Sequence, residues 1–257
     1  MSDRQEEPKR FDGKIFCIGF QKTGTSTIRD ALRVLGYRVC GVRYHLIGPI
    51  RRSDLRPVHE MVAQFDAFED NPWPLLFREL DRDYPGSRFI MTIRDEAPWL
   101  RSVVNHLGVL PDRMQKLVYG HGAPGGYEDV ALARYRRHNE EVFAHFADRP
   151  DDILVLDFTK GDGWAEICGF LGCPIPSTAL PHANKRAYET WKSKANFAAA
   201  SVVRGLRRLF GDPPDDTIRP RPPFPIPLRV VRDHDAGATH GHQIATDGGR
   251  PDSADRS

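Results

Sequence analysis

Apolar positions recur along this chain in two rhythms, and the changes of rhythm mark its elements. A continuous apolar run, Ile15-Phe16-Cys17-Ile18, reads as a buried strand. A polar, glycine-punctuated stretch follows over 19–27. Ile28, Ala31, Leu32 and Leu35 then recur at helical spacing, and Gly36 stands where a helix ends. Residues 37–40 form a second strand candidate. Residues 45–53 read as a loop punctuated by Gly48-Pro49. A helix is expected over 56–65 and a short strand over 67–70, ending at Asn71-Pro72. Pro74 suits the first turn of a helix that runs to Tyr84. Residues 88–93 form the strongest strand, with a helix starting near Pro98. The stretch 108–127, containing HGAPGG, reads as irregular and flexible. A long helix over 129–147 precedes a buried strand, Ile153–Leu156, and an amphipathic helix, Trp164–Leu171, with Ile167, Cys168 and Leu171 inward. Strands alternating with helices predict an α/β fold in three layers, a parallel sheet covered on both faces.

The ends of the chain differ from this middle. Residues 1–12 read as a disordered lead-in and 13–186 as the folded domain. Residues 187–231 read as a C-terminal helix with a proline-rich extension, and 232–257 as a disordered tail. In that helix Val202, Val203, Leu206, Leu209 and Phe210 form an apolar face opposite Arg204, Arg207 and Arg208. It is expected to dock on its own domain, with a membrane-surface or partner helix as the alternative. PPFPIPL is expected to wrap the domain as an extended strip. Trp164 is expected in the core, with stacking on a base as the alternative. The tail residues His234, His240 and His242 are read as solvated rather than as metal ligands.

Composition narrows the classes. With 257 residues, 28% charged and a net charge of +2, the chain suits one α/β domain with appendages. Its basic residues are scattered, which argues against nucleic acid. Cys17, Cys40, Cys168 and Cys173 form no C-x-x-C pair, so neither zinc nor a redox pair is indicated, and no metal is expected. Reduced core thiols fit a cytoplasmic location. The polar start MSDRQEEPKR has no apolar h-region, and no run reaches ~18 apolar residues, so neither a signal peptide nor a membrane span is expected.

The chemistry concentrates in 19–27. A loop that opens a helix leaves backbone N–H groups without partners, and the helix dipole adds positive potential there. Gly19 and Gly24 permit close approach, Lys22 adds charge, and Thr23, Thr25, Ser26 and Thr27 add hydroxyls. Such a loop cradles a phosphate or sulfate-bearing anion. The Walker A pattern puts a lysine directly after the second glycine. Here Thr25 stands there and the lysine is Lys22.

This K-[ST]-G-T-[ST] order after an apolar strand resembles the 5′-phosphosulfate-binding loop of sulfotransferases. Further along, Arg94 ends the strongest strand and Ser102 lies in the following helix, a spacing that looks like the 3′-phosphate motif of the same family. The stretches AFEDNPWPLLFRELDRDYPGSRFIMTIRD, GDGWAEICGFLGCPIP and LPHANKR resemble one bacterial and eukaryotic branch of sulfotransferase-like proteins. The resemblance covers 14–186.

It implies a transferase moving a sulfuryl group from 3′-phosphoadenosine 5′-phosphosulfate (PAPS) to a hydroxyl, less readily an amine. The acceptor would be a small molecule, glycan or lipid. Gln21, Lys22, Thr23, Gly24, Thr25, Ser26 and Thr27 would hold the 5′-phosphosulfate, with Lys22 catalytic, and Arg94, Ser102 and Lys185 the 3′-phosphate. Asp70 occupies the place where cytosolic relatives carry a histidine and glycosaminoglycan-modifying ones a glutamate. It is the candidate base, with Glu69 and His106 behind it. Capping of the following helix is the competing role for Asp70, and strand alternation would let only one of Glu69 and Asp70 face the ligand. Two other readings stand beside this one. A P-loop nucleotide kinase or NTPase would use Asp157 for Mg²⁺. A binding module of the same fold would have lost turnover. Oligomeric state is not legible in the sequence.

Overall fold

The computed structural model describes residues 11–181 and 191–211 of the chain. Lys185, Arg186, the lead-in 1–10, the proline-rich extension and the tail lie outside them.

Five strands form one parallel sheet in the order β2-β3-β1-β4-β5: β1 Ile15–Cys17, β2 Val39–Cys40, β3 Ala67–Phe68, β4 Arg88–Thr92 and β5 Ile153–Leu156. Ile15 pairs with Ala67 on one side and Arg88 on the other, so β1 is central. The chain leaves β1 for the β2 edge, returns through β3, then crosses to β4. β1 therefore sits at a switch in strand order, where ligands bind beyond the carboxyl ends of such sheets.

Alternation along the strands sorts the core into two layers. Phe16, Ile18, Phe68, Phe89 and Met91 pack with Val58 and Val62 of α3 (Arg56–Gln64), Phe77 and Leu80 of α4 (Phe77–Asp83) and Val142 of α7 (Glu128–His145). Ile15, Cys17, Ile90 and Leu156 pack with Ile28, Ala31 and Leu32 of α1 (Thr25–Val34) and with Ile167 and Leu171 of α8 (Trp164–Leu171). The three-layer α/β fold is the one the alternation of elements predicts. β5 is less buried than its apolar run implies. It is a sheet edge, and Val155 is 36% exposed.

Two stretches read as loops are helical. Residues 45–53 contain a 3-10 turn, Tyr44–Leu46, and α2 (Ile47–Arg51). Pro49 lies within the first turn of α2, where a missing N–H does no harm. Residues 108–127 contain α6 (Arg113–Tyr119), which Asp112 caps by accepting from the N–H groups of Met114 and Gln115 at 2.8 and 3.0 Å. HGAPGG is packed rather than loose. Ala123 is buried, and the Gly125 N–H donates to the Gly108 carbonyl at 3.0 Å.

α5 (Glu96–Leu107) follows β4, and α9 (Trp191–Phe210) packs against it. α9 docks on the domain, but with only Val203 of its apolar stripe among the described side chains. Asn196 donates to the Asn105 carbonyl at 2.8 Å, Val203 covers Gly126, and Arg207 reaches Asp129 at 2.8 Å. Arg204 pairs with Glu128. Val202, Leu206 and Leu209 stay exposed. Ion pairs to the start of α7 oriented the helix where its apolar face was expected to. Trp164, the first residue of α8, packs half-buried against the core and donates its indole N–H to the Thr178 carbonyl at 2.8 Å.

Candidate active site

β1 ends at Cys17 and α1 begins at Thr25, so the loop between them lies beyond the carboxyl end of the central strand. Two contacts set its path. A Cβ on Gly19 would lie 2.3 Å from the Thr92 carbonyl oxygen, so only glycine lets the loop pass the end of β4. Gly24 caps α1 at φ +120, with the Phe158 ring 2.5 Å from where its Cβ would stand. α1 has no acidic residue in its first turn and no side-chain cap, so its amino end presents bare N–H groups and uncompensated positive potential.

The loop side chains divide their work. The Thr23 hydroxyl donates to the Phe20 carbonyl at 2.5 Å and bonds Thr92 Oγ1 at 2.6 Å, which locks the loop to β4. The Gln21 amide is spent on Gln115, Tyr119 and Asn71. Both residues therefore hold the loop with their side chains. That leaves the backbone, Lys22 and the hydroxyls at the start of α1 to face the cleft.

In front of the loop lies a cleft of about 500 Å³. Gln21, Lys22, Thr23, Gly24, Thr25, Ser26 and Thr27 line it together with Asp70, Asn71, Arg94 and His106. Lys22 has φ +70 and Asp70 φ +62. They are two of the three non-glycine residues with left-handed backbone among the described residues. Such strain collects at functional sites.

Arg94 follows β4, and its main chain is clamped by Tyr135, whose hydroxyl accepts from the Arg94 N–H at 3.0 Å and donates to its carbonyl at 2.9 Å. Tyr135 stacks on Trp99 at 4.1 Å, and the Trp99 indole donates to the Gln21 carbonyl at 3.0 Å. The guanidinium and the loop are thus parts of one frame. Arg94 Nε is buried without a protein partner, as a group made to meet an anion would be. Ser102 is 2% exposed on α5 and is not among the cleft-lining residues; the helix reaches the cleft one turn later, at His106 and Leu107.

The carboxylates after β3 also separate. The strand stops at Phe68, so alternation no longer governs Glu69 and Asp70, and the left-handed turn at Asp70 sends it to the cleft. Burial raises its pKa, while the Asn71 backbone N–H, Arg29 and Lys22 pull it back. Glu69 is buried behind it. Desolvation, then the charge of Asp70, push the Glu69 pKa up to about 8, against the pull of Arg29 at 3.8 Å. Asp157 is not among the cleft-lining residues: its Oδ1 accepts from the Thr159 N–H at 3.0 Å and from the Thr159 hydroxyl at 2.5 Å, closing the turn after β5, while Oδ2 is buried with the Lys160 ammonium 3.4 Å away.

Sequence reasoning missed Phe158 and Thr159, and at the other end Val42, Tyr44, Asn71 and Leu107; Met114 and Gln115 fall in 108–127, which together with 45–53 is where a variable acceptor pocket is expected from the sequence. Their signal was weak, because they come from segments far apart in the chain or read as loops. Asn71 alone was within reach, as the neighbour of Asp70.

The model of the sulfotransferase domain matches residues 14–124 and 109–188, well over half of the chain. The chain belongs to the sulfotransferase domain family. The curated relatives include the Ava biosynthesis cluster protein M of Aspergillus versicolor. It is 21% identical over 209 residues, 66% of this chain and 80% of that one. Among solved structures, a gluconokinase from Sinorhizobium meliloti 1021 aligns over 79% of this chain and 99% of its own. Its identity is 15% and its TM-score 0.37, too low to bear on this sulfotransferase-family site.

Proposed function

We propose that this sulfotransferase-family protein transfers a sulfuryl group from PAPS to an acceptor hydroxyl. One observation carries the reading. Lys22 and the bare amino end of α1 form one wall of the same cleft that holds Asp70 and Arg94. The residues fit such a donor: an uncapped helix start, a lysine before the glycine, and a buried guanidinium nitrogen without a protein partner.

Bound there, the donor supplies an activated sulfuryl group on a phosphate leaving group. The backbone N–H groups at Thr25 and Ser26 and the hydroxyls of Thr25, Ser26 and Thr27 hold the 5′ end. Lys22 stabilises charge that grows on the leaving oxygen. Arg94 takes the 3′-phosphate with its fork of donors. The Phe158 ring, lining the cleft beside Gly24, offers an apolar face for the base. Asp70 receives the acceptor's proton, and its raised pKa brings it toward the working pH of a general base. The other face of the cleft, Val42, Tyr44, Leu107 and Met114 with Asn71 and Gln115, is mixed in character. It suits a small molecule, or the end of a glycan or lipid, with an apolar body and a hydroxyl at the buried end. Lys185, outside the described residues, remains the second candidate for the 3′-phosphate. We place this activity in the cytoplasm, where free thiols such as Cys17, Cys40, Cys168 and Cys173 persist.

The test is thermal. A ligand that binds only the native state raises the melting temperature. Adenosine 3′,5′-bisphosphate should raise it more than ADP or ATP, without Mg²⁺. A larger rise with ATP and Mg²⁺ would favour the kinase reading, against which the threonine at position 25 already stands. Binding of the bisphosphate without turnover of PAPS on any hydroxyl would leave the binding module.

A further inference from the structure

Of the two loop side chains that the donor chemistry does not use, Thr23 stays with the end of β4 and Gln21 reaches further. Gln21 precedes Lys22, yet its amide bonds only protein groups. Nε2 donates to Gln115 Oε1 at 2.7 Å and to the Tyr119 hydroxyl at 3.0 Å, both on α6. With both hydrogens taken, Oε1 must be an acceptor, and Asn71 Nδ2 donates to it. That fixes which way the Asn71 amide lies. Its nitrogen also stands 3.3 Å from Asp70 Oδ1, and the Asn71 backbone N–H donates to the same oxygen at 2.7 Å. Asp70 Oδ1 is therefore held twice by Asn71, and Oδ2 is the oxygen left for other work.

The arrangement has a visible cost. Asn71 is 2% exposed, and its Oδ1 has no partner in the protein. An amide free to choose would avoid leaving a buried oxygen unbonded. Its orientation is imposed by Gln21, and through Gln21 by α6.

We propose that Gln21 is a positioning residue: it links α6 and the donor loop to Asn71, and so sets the carboxylate of Asp70 with one oxygen facing the acceptor hydroxyl. This rests on the reading of Asp70 as the base. It gives Gln21 a task other than donor binding, and it makes Gln115, which lines the acceptor end of the cleft, the far anchor of the same chain. The other titratable groups that act on Asp70 or feel it are Glu69, Arg29, Lys22, Tyr44 and Tyr119. Of these only Tyr119, which loses its hydrogen bond from Gln21, is touched by the substitution that tests the chain.

The experiment uses the full chain labelled with ¹³C-aspartate. The Asp70 carboxyl resonance is assigned by its loss in Asp70→Asn, and its titration is followed by NMR. Adenosine 3′,5′-bisphosphate is the probe of the donor site, measured by calorimetry. Gln21→Met keeps the length of the side chain and removes every bond of its amide. With Asn71 released, a donor to the carboxylate loosens, and the Asp70 midpoint should rise by about half a pH unit or more. The bisphosphate Kd should stay within about threefold of the parent. An unmoved midpoint would overturn the proposal, even if the variant melts earlier. A Kd weakened about tenfold or more would also overturn it, making Gln21 a donor ligand. Should Gln21→Met not fold, Gln115→Met cuts the chain at α6 and should move the midpoint the same way by less; no movement there is equally fatal. If the parent binds no bisphosphate, the donor reading falls while the Asp70 shift still decides the fate of the chain.

Discussion

The proposed donor end of the cleft comes mainly from one continuous segment, residues 19–27 running into α1, joined by Arg94, Phe158 and Thr159. The acceptor end is assembled from separate pieces: Val42 and Tyr44, Asp70 and Asn71, His106 and Leu107, Met114 and Gln115. The first is a local solution. A glycine passes a strand end, a helix starts without a cap, and local backbone geometry turns N–H groups toward the cleft beside Lys22. The second exists only after folding, because α6 and the Asn71 turn meet through Gln21. Donor chemistry can thus be fixed by a short motif, whereas the acceptor site can vary wherever its pieces vary.

The sharpest way to break this division is at its boundary, Asp70. Asp70→Asn keeps the shape of the side chain and removes the base. The turnover of PAPS with an accepted hydroxyl should fall about 10²–10⁴-fold. Adenosine 3′,5′-bisphosphate affinity should hardly change. A variant that binds the bisphosphate and transfers at the parental rate would reduce Asp70 to a turn residue.

Lys22→Ala tests the donor side. Its charge counts most as the leaving oxygen gains charge, so the turnover number should fall about 10²–10³-fold with a smaller loss of bisphosphate binding. An unchanged turnover number removes Lys22 from the mechanism. Arg94→Ala should act on binding instead. Loss of a charge-assisted bond, about 1.5–3 kcal/mol, should weaken adenosine 3′,5′-bisphosphate but spare adenosine 5′-phosphosulfate, which lacks the 3′ group. Equal weakening of both would make Arg94 part of the frame that Tyr135 clamps.

The same contrast explains what was legible in the sequence. The loop, the sheet and α8 could be read because each depends on its own residues: an apolar run, a glycine, a helical repeat. Residues 108–127 could not, because their glycines resemble a flexible linker, while the Asp112 cap and the Gly125–Gly108 bond make them a packed helix and turn. Ser102 illustrates the limit of spacing. It sits in the helix after Arg94 as expected, yet on a buried face, and only the helix phase of the folded chain reveals this. Asp70 does line the cleft, but not for the reason that strand alternation gives. Alternation does not extend to it, and the left-handed turn selects it over Glu69.

The last effect is on stability rather than on activity, and concerns the two buried titratable groups behind the two ends. Glu69 lies behind the acceptor end, with its pKa raised to about 8 from 4.5. His138 lies behind the donor loop. It bonds the Ile18 carbonyl at 2.7 Å and stacks on Phe20 at 4.1 Å. Burial, then Arg134, lower its pKa to about 3 from 6.5. The signs are opposite. The folded state holds the Glu69 proton more tightly, so that contribution is full below pH 4.5 and is lost as pH rises toward 8. The folded state resists protonating His138, so that contribution is full above pH 6.5 and is lost as pH falls toward 3. Between 4.5 and 6.5 the two slopes cancel, and unfolding free energy should show a plateau there. Glu69→Gln removes one slope. Its stability relative to the parent should rise between pH 4.5 and 8, by no more than about 1.4 kcal/mol per unit. Below 6.5 the uncompensated His138 should tilt its profile downward. Urea midpoints at pH 5, 6.5 and 8 read this directly. A Glu69→Gln difference independent of pH would mean that Glu69 titrates alike in the folded and unfolded chain, and that its burial beside Asp70 is relieved by solvent.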